Sequence, residues 1–146
     1  MSVNTEAIGK EWPATTYTIG SEKIREYASA VGETNPVYDD PDAAKAAGFR
    51  DLVAPPMFCV VYSNAAMAAA MLDPEVGIDF DKLVHGEQQF EWGEPVCAGD
   101  VITTTATLTE VTEKMKMGFY VFETESTNQD GEQTVLGTWT DIVRGD

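Results

Sequence analysis

Residues 55–72 read P-P-M-F-C-V-V-Y-S-N-A-A-M-A-A-A-M-L, an apolar run in which Asn64 is the most polar residue. A helix formed here has no face made for water and is expected to be buried on most sides. Pro55 and Pro56 suit a first turn, where N–H groups lack intrahelical partners anyway. Asp73-Pro74 ends the helix. The remaining chain must therefore supply cover. The C-terminal half is rich in β-branched and aromatic residues: strands are predicted over 83–92, 101–112, 117–127 and 133–144. Gly86 marks a bend or bulge in the first of them. Residues 95–100 form a loop, and Asn128-Gln129-Asp130-Gly131 a hairpin turn. One buried helix leading into an antiparallel meander is an α+β pattern.

The N-terminal part adds shorter elements. Residues 15–19, T-T-Y-T-I, read as a strand. Ser21 is placed to cap a helix running to Val31, with Gly32 as its stop, and Ile24, Tyr27, Ala28 and Val31 share one face. Residues 41–47 form a short helix closed by Gly48. There is no repeat, low-complexity tract or linker, and 146 residues predict one domain over 1–146.

The formal charge is −16, with 25 Asp and Glu against nine Lys and Arg. Nucleic-acid binding is disfavoured, because phosphate contacts need clustered cations. The acidity fits an ordinary acidic soluble protein or a high-salt habitat, where repulsion is screened. For an anionic ligand it requires a few local cations or a partner that supplies them. No apolar run is long enough to span a bilayer, and residues 1–10 lack the basic-then-apolar pattern of a leader. Cys59 and Cys97 match no metal or redox spacing, so a reduced, cytoplasmic protein is expected, with no metal site and no cofactor.

The segment 27–44, Y-A-S-A-V-G-E-T-N-P-V-Y-D-D-P-D-A-A, resembles the signature of the MaoC-like dehydratase and (R)-specific enoyl-CoA hydratase family. Tyr27, Gly32, Asn35-Pro36-Val37 and Ala44 stand where the signature has its aromatic, Gly, Asn-Pro-aliphatic and small residue. Its catalytic Asp and His are replaced by Glu33 and Tyr38. Further likeness lies in I-G-K-E-W-P (8–13), K-I-R-E-Y-A (23–28), A-A-K-A-A-G-F (43–49), D-L-V-A-P-P-M-F (51–58) and P-V-C-A-G-D (95–100). The chain is most similar to the subunits of (3R)-hydroxyacyl-ACP dehydratases that lack the catalytic pair. The resemblance implies a hot-dog fold, an antiparallel sheet wrapped around the central helix.

It also implies a chemistry. Hydrating an enoyl thioester, or dehydrating a 3-hydroxyacyl one, needs a base, an acid and donors for the thioester oxygen. In the family the Asp and His share the proton transfers, the Asn supports them, and backbone N–H groups at the start of the central helix hold the oxygen. Carried over, Glu33 keeps a carboxylate one methylene further out, Asn35 matches, and Tyr38, a phenol with a pKa of about 10, is a poor base at neutral pH. At the helix start Pro56 has no N–H, but Met57 and Phe58 do. Met57, Met67 and Met71 fill the core or line a flexible acyl tunnel, and the residues alone leave both readings open; Pro56, Met57, Phe58, Met67 and Met71 are the expected substrate contacts. His85, the only histidine, is either structural or a catalytic group partnered by Glu33 or Glu87. Cys59 reads as a small core residue. The implied ligand is an acyl-CoA or acyl-ACP thioester. The implied assembly is a homodimer, or a heterodimer with a catalytic hot-dog subunit. Three functions stay open: an acyl-binding, catalytically incomplete subunit; a self-sufficient homodimeric hydratase using Glu33 with His85 or water; and a non-enzymatic acyl-thioester-binding protein.

Overall fold

Side chains along strand β3 (Val101–Lys114) alternate, with Ile102, Thr104, Ala106 and Leu108 buried and their neighbours more open, as expected of a strand whose one face meets a core. The structure, a computed structural model, describes residues 3–145, so Met1 and Ser2 of the segment read for a leader lie outside the described residues. β3 joins β1 (Thr15–Thr18), β2 (Leu83–Trp92), β4 (Met117–Thr127) and β5 (Gln133–Arg144) in one antiparallel sheet of order β1-β3-β4-β5-β2. The register of β2 on β5 slips between His85 and Glu87. Gly86 sits at that bulge, where a Cβ would lie 2.6 Å from Ile142 Cδ1.

The apolar segment starts as a 3₁₀ turn, Pro56–Phe58, and becomes helix α3 only over Cys59–Met71. Its packed side consists of Cys59, Tyr62, Ser63, Ala66, Met67 and Ala70 and lies on β3, β1 and β4. Burial on most sides is not what one chain achieves. Asn64, Ala65 and Ala69 are exposed, and Leu72 is 66% exposed. One flank of the helix therefore has no cover from the described residues. Two clusters of side chains form the core. One holds Trp12, Met67, Ala70, Leu108, Tyr120 and Phe122; the other holds Ile19, Ile24, Leu52, Phe58, Tyr62 and Val135.

Helix α1 (Ser21–Ala30) is capped by the backbone of Gly20, with no side-chain cap, so Ser21 is its first residue rather than its cap. At its end Gly32 adopts φ +75°. Its N–H bonds the Ser29 carbonyl at 3.2 Å, and the Glu33 N–H bonds the Ala28 carbonyl at 2.8 Å, a Schellman arrangement. Helix α2 (Pro41–Ala46) is capped by the Asp40 side chain, which accepts from the Asp42 N–H. The chain before β1 is clamped to the far end of α3: Lys10 and the Trp12 indole both reach the Asp73 carboxylate, at 2.7 and 2.8 Å. Lys10 leads in holding that carboxyl down to about 2.

Candidate functional site

The motif segment folds as a loop built by its own residues. With Glu33 fixed by the helix end, Asn35 caps a 3₁₀ turn over Pro36–Tyr38: its Oδ1 accepts the Val37 N–H at 3.2 Å and its carbonyl accepts the Tyr38 N–H at 3.1 Å. Asn-Pro is thus explained locally, as a cap and then a proline at the first position. The Val37 carbonyl then accepts the Val53 N–H at 3.2 Å, tying the loop to the segment that leads into α3. Arg25 holds the other side, its Nε bonding the Asp39 carbonyl at 3.1 Å.

Between this loop, the start of α3 and the end of β2 lies a cavity of about 410 Å³. Val37, Phe49, Val53, Val96, Pro55 and Pro56 give it an apolar lining, and Asn35 and Tyr38 stand at its motif side. Cys59 and Tyr62, one helical turn apart on α3, and Thr134 supply hydroxyl and thiol groups. Trp92 closes the strand side, its indole donating to the Pro56 carbonyl at 2.9 Å. Glu94 is the one charged residue in the lining. Gly93 beside it has to be glycine, since a Cβ would lie 2.2 Å from the Gln133 carbonyl oxygen.

The chemistry of this cavity is quiet. Burial pushes the Cys59 thiol up to about 11, despite hydrogen bonds that oppose the rise. The Tyr62 phenol is also driven upward by burial, and its O–H donates only a long 3.4 Å bond to Thr134. Tyr38 is pushed up first by burial and then by the Glu33 carboxylate. None of these three is a base at neutral pH.

The predicted residues are not gathered in one place. Glu33 is exposed and lines a separate depression of about 480 Å³ with Arg25, Ser29 and Asp39; Asn35 and Tyr38 border both spaces. His85 sits at the far end of β2. Trp92 marks the cavity seven residues on, so roughly 20 Å of strand separates His85 from it. The carboxylate that reaches His85 is neither Glu33 nor Glu87 but Asp141, across the β2–β5 pair, with His85 Nδ1 3.2 Å from its Oδ1. Asp141 is buried, and its carboxyl is raised by desolvation against the pull of His85.

Of the predicted ligand contacts, Pro56 lines the cavity. Phe58 is fully buried between Tyr27 and Tyr62, and its N–H is taken by the Pro55 carbonyl at 2.8 Å. Met57 is 44% exposed. Met67 and Met71 belong to the core cluster at the other end of α3. Sequence reasoning missed Tyr62, Trp92, Glu94 and Thr134. The helical spacing of Pro55, Cys59 and Tyr62 was the available signal; the strand-end residues carried none. Among the described residues, no helix is long and apolar enough to cross a membrane.

A family model described as the FAS1-like dehydratase domain region matches residues 6–136. The UPF0336 protein of Clavibacter michiganensis is 42% identical over 147 aligned residues, covering 100% of this chain and 99% of that protein. The C-terminally truncated HadBC (3R-hydroxyacyl-ACP dehydratase) complex of Mycobacterium tuberculosis superposes with a TM-score of 0.85 at 26% identity, over 96% of this chain and 99% of that one. The (R)-hydratase PhaJ1 of Pseudomonas aeruginosa, at 22% identity and a TM-score of 0.74 over 95% and 83%, shares the fold. Sheet and central helix agree with these matches: the chain has the hot-dog fold and belongs to the FAS1-like dehydratase domain family.

Proposed function

We propose that this chain is the acyl-binding, catalytically incomplete hot dog of a (3R)-hydroxyacyl-thioester dehydratase or (R)-enoyl-thioester hydratase. It acts in the cytoplasm as one domain, beside a hot-dog subunit that carries the acid and base. The observation that carries this reading is the apolar cavity at the motif loop, which lacks a carboxylate–imidazole pair: Glu33 faces another depression and His85 pairs with Asp141 at the far end of β2. The acyl tail occupies the cavity, and the thioester lies at Asn35 and Tyr38. There Tyr38, protonated at neutral pH, can donate a hydrogen bond but cannot take a proton.

Binding is the test. Titrating a medium-chain acyl-CoA should change the fluorescence of Trp92 in the cavity wall, and Trp92→Phe should abolish that part of the signal. Ala47 is an exposed residue of the same lining. Ala47→Trp should weaken binding by about tenfold or more with stability within about 0.5 kcal/mol of the parent, as surface changes usually are. Absence of binding, both to the chain alone and beside a catalytic hot-dog subunit, would remove the acyl-binding role. The self-sufficient reading asks Glu33 to work with water, and turnover by the isolated chain decides it.

A further inference from the structure

The wall of the cavity across from the motif loop is not apolar. Asn35 is exposed and Tyr38 half-buried on the motif side, whereas Cys59, Tyr62 and Thr134 opposite are each no more than 4% exposed. An aliphatic tail has no use for hydroxyl groups there, and a buried hydroxyl without a good partner costs free energy. Tyr62 is such a group. Its O–H reaches Thr134 Oγ1 at 3.4 Å, well beyond the about 2.5–3.0 Å of an ordinary O–H···O bond.

Thr134 is aimed into the cavity by a break in the sheet. On β4, Ser126 pairs with Val135 and Thr127 with Gln133, so Thr134 is the extra residue of a bulge in β5. In a regular strand Thr134 and Val135 take opposite faces. Here both are buried, and Thr134 lines the cavity. Its own hydroxyl proton goes to the Ser126 carbonyl at 3.2 Å, which leaves its oxygen as an acceptor. The wall therefore sets a donor, the Tyr62 O–H, beside an acceptor, Thr134 Oγ1. One ligand hydroxyl complements both, accepting from the first and donating to the second. A carbonyl uses only the donor. A carboxylate meets no cation, because Glu94 is the one charged residue of the lining.

We infer that the cavity selects acyl thioesters whose tail carries a hydroxyl, apart from any at the reacting carbon, and holds that hydroxyl between Tyr62 and Thr134. This rests on the acyl-binding reading and names the substrate class within it. The thioester end stays at Asn35 and Tyr38, and the polar pair lies across the cavity, so the hydroxyl it reads belongs to the tail.

Calorimetric titration tests it by comparing decanoyl-CoA with the same thioester bearing one hydroxyl, moved carbon by carbon from mid-chain to the ω end. Each is titrated into the chain alone and beside a catalytic hot-dog subunit. At one position the hydroxylated chain should bind about tenfold or more tighter than decanoyl-CoA, the gain of two hydrogen bonds less the dehydration of the ligand hydroxyl. A keto group at that carbon should gain less. Tyr62→Phe and Thr134→Val should each remove most of the preference, whereas Thr134→Ser, which keeps the hydroxyl, should retain it. Hydroxylated chains that all bind no better than decanoyl-CoA would overturn the inference and leave the acyl-binding role standing. A preference that survives both Tyr62→Phe and Thr134→Val would also overturn it, since the polar pair would not be its cause. If no chain binds in either setting, the acyl-binding role fails and this inference with it.

Discussion

Replacing Phe58 by Ala should cost about 3–5 kcal/mol of folding stability. The ring is 0% exposed and stands edge-on to Tyr27 at 5.4 Å, with Tyr62 at 6.3 Å. Ile24, Leu52 and Val135 complete the cluster. The residue lies on the 3₁₀ turn that launches α3, so the shell around it is fixed by the helix start and by α1 and has little freedom to collapse into the space left behind. In urea the unfolding midpoint should fall with little change in slope, the mark of lost stability rather than an altered unfolded state. A loss below about 1.5 kcal/mol would mean that the site collapses freely and that α3 is not anchored here.

The second large effect belongs to Asp100, a carboxylate with no exposure at the foot of β3. It accepts from the Cys97 N–H at 2.8 Å, from Arg50 Nη2 at 2.8 and 3.0 Å, and from Gln129 Nε2 at 3.0 Å. Burial alone would raise its pKa. The Cys97 N–H, Arg50 and Gln129 together outweigh burial and hold it below the ordinary carboxylate range. Asp100→Ala strands the buried Cys97 N–H and two side-chain donors, and should cost about 3 kcal/mol near neutral pH; the 61% exposure of Arg50 keeps the figure from going higher. Because the folded pKa is depressed, this stability is fully present above the unfolded value of about 4 and is lost as pH falls through the folded pKa. The gap between wild type and Asp100→Ala should therefore narrow on acidification below roughly pH 4. Denaturant unfolding of both proteins at several pH values measures it, and a gap that widens toward acid would show the ion pair to be a liability. The same loop supplies Pro95 and Val96 to the cavity, so the variant should also bind acyl ligand more weakly.

Strands and the central helix were legible because their patterns are long. β2, β4 and β5 begin and end where period and turn residues put them, and Asn128 makes its hairpin as composition suggests, its Oδ1 taking the N–H groups of Asp130 and Glu132 at 3.0 Å each. Local geometry without a side-chain signal was not legible. β3 runs two residues further than predicted because Met115 and Lys116 turn the chain at φ 54° and 62°. That conformation favours Asn and Gly, and neither is there to announce it. The site divides the same way. Gly32 and Asn-Pro foretold the loop, since their roles are set by neighbours in sequence. The partner of His85 was not foretold, because Asp141 lies 56 residues away and meets it only through strand register. The apolar character of α3 predicts burial, but sequence cannot distinguish a helix covered by its own sheet from one covered by a neighbour.

The role proposed for this chain is to bind an acyl thioester at a cavity that cannot move protons unaided. The direct measurement is hydration of short and medium trans-2-enoyl-CoA by the purified chain alone, at low and high salt. Binding without turnover is expected at both, with turnover appearing only when a catalytic hot-dog subunit is added. Turnover by the isolated chain that disappears with Glu33→Gln or Glu94→Gln would contradict that role and make this a self-sufficient hydratase.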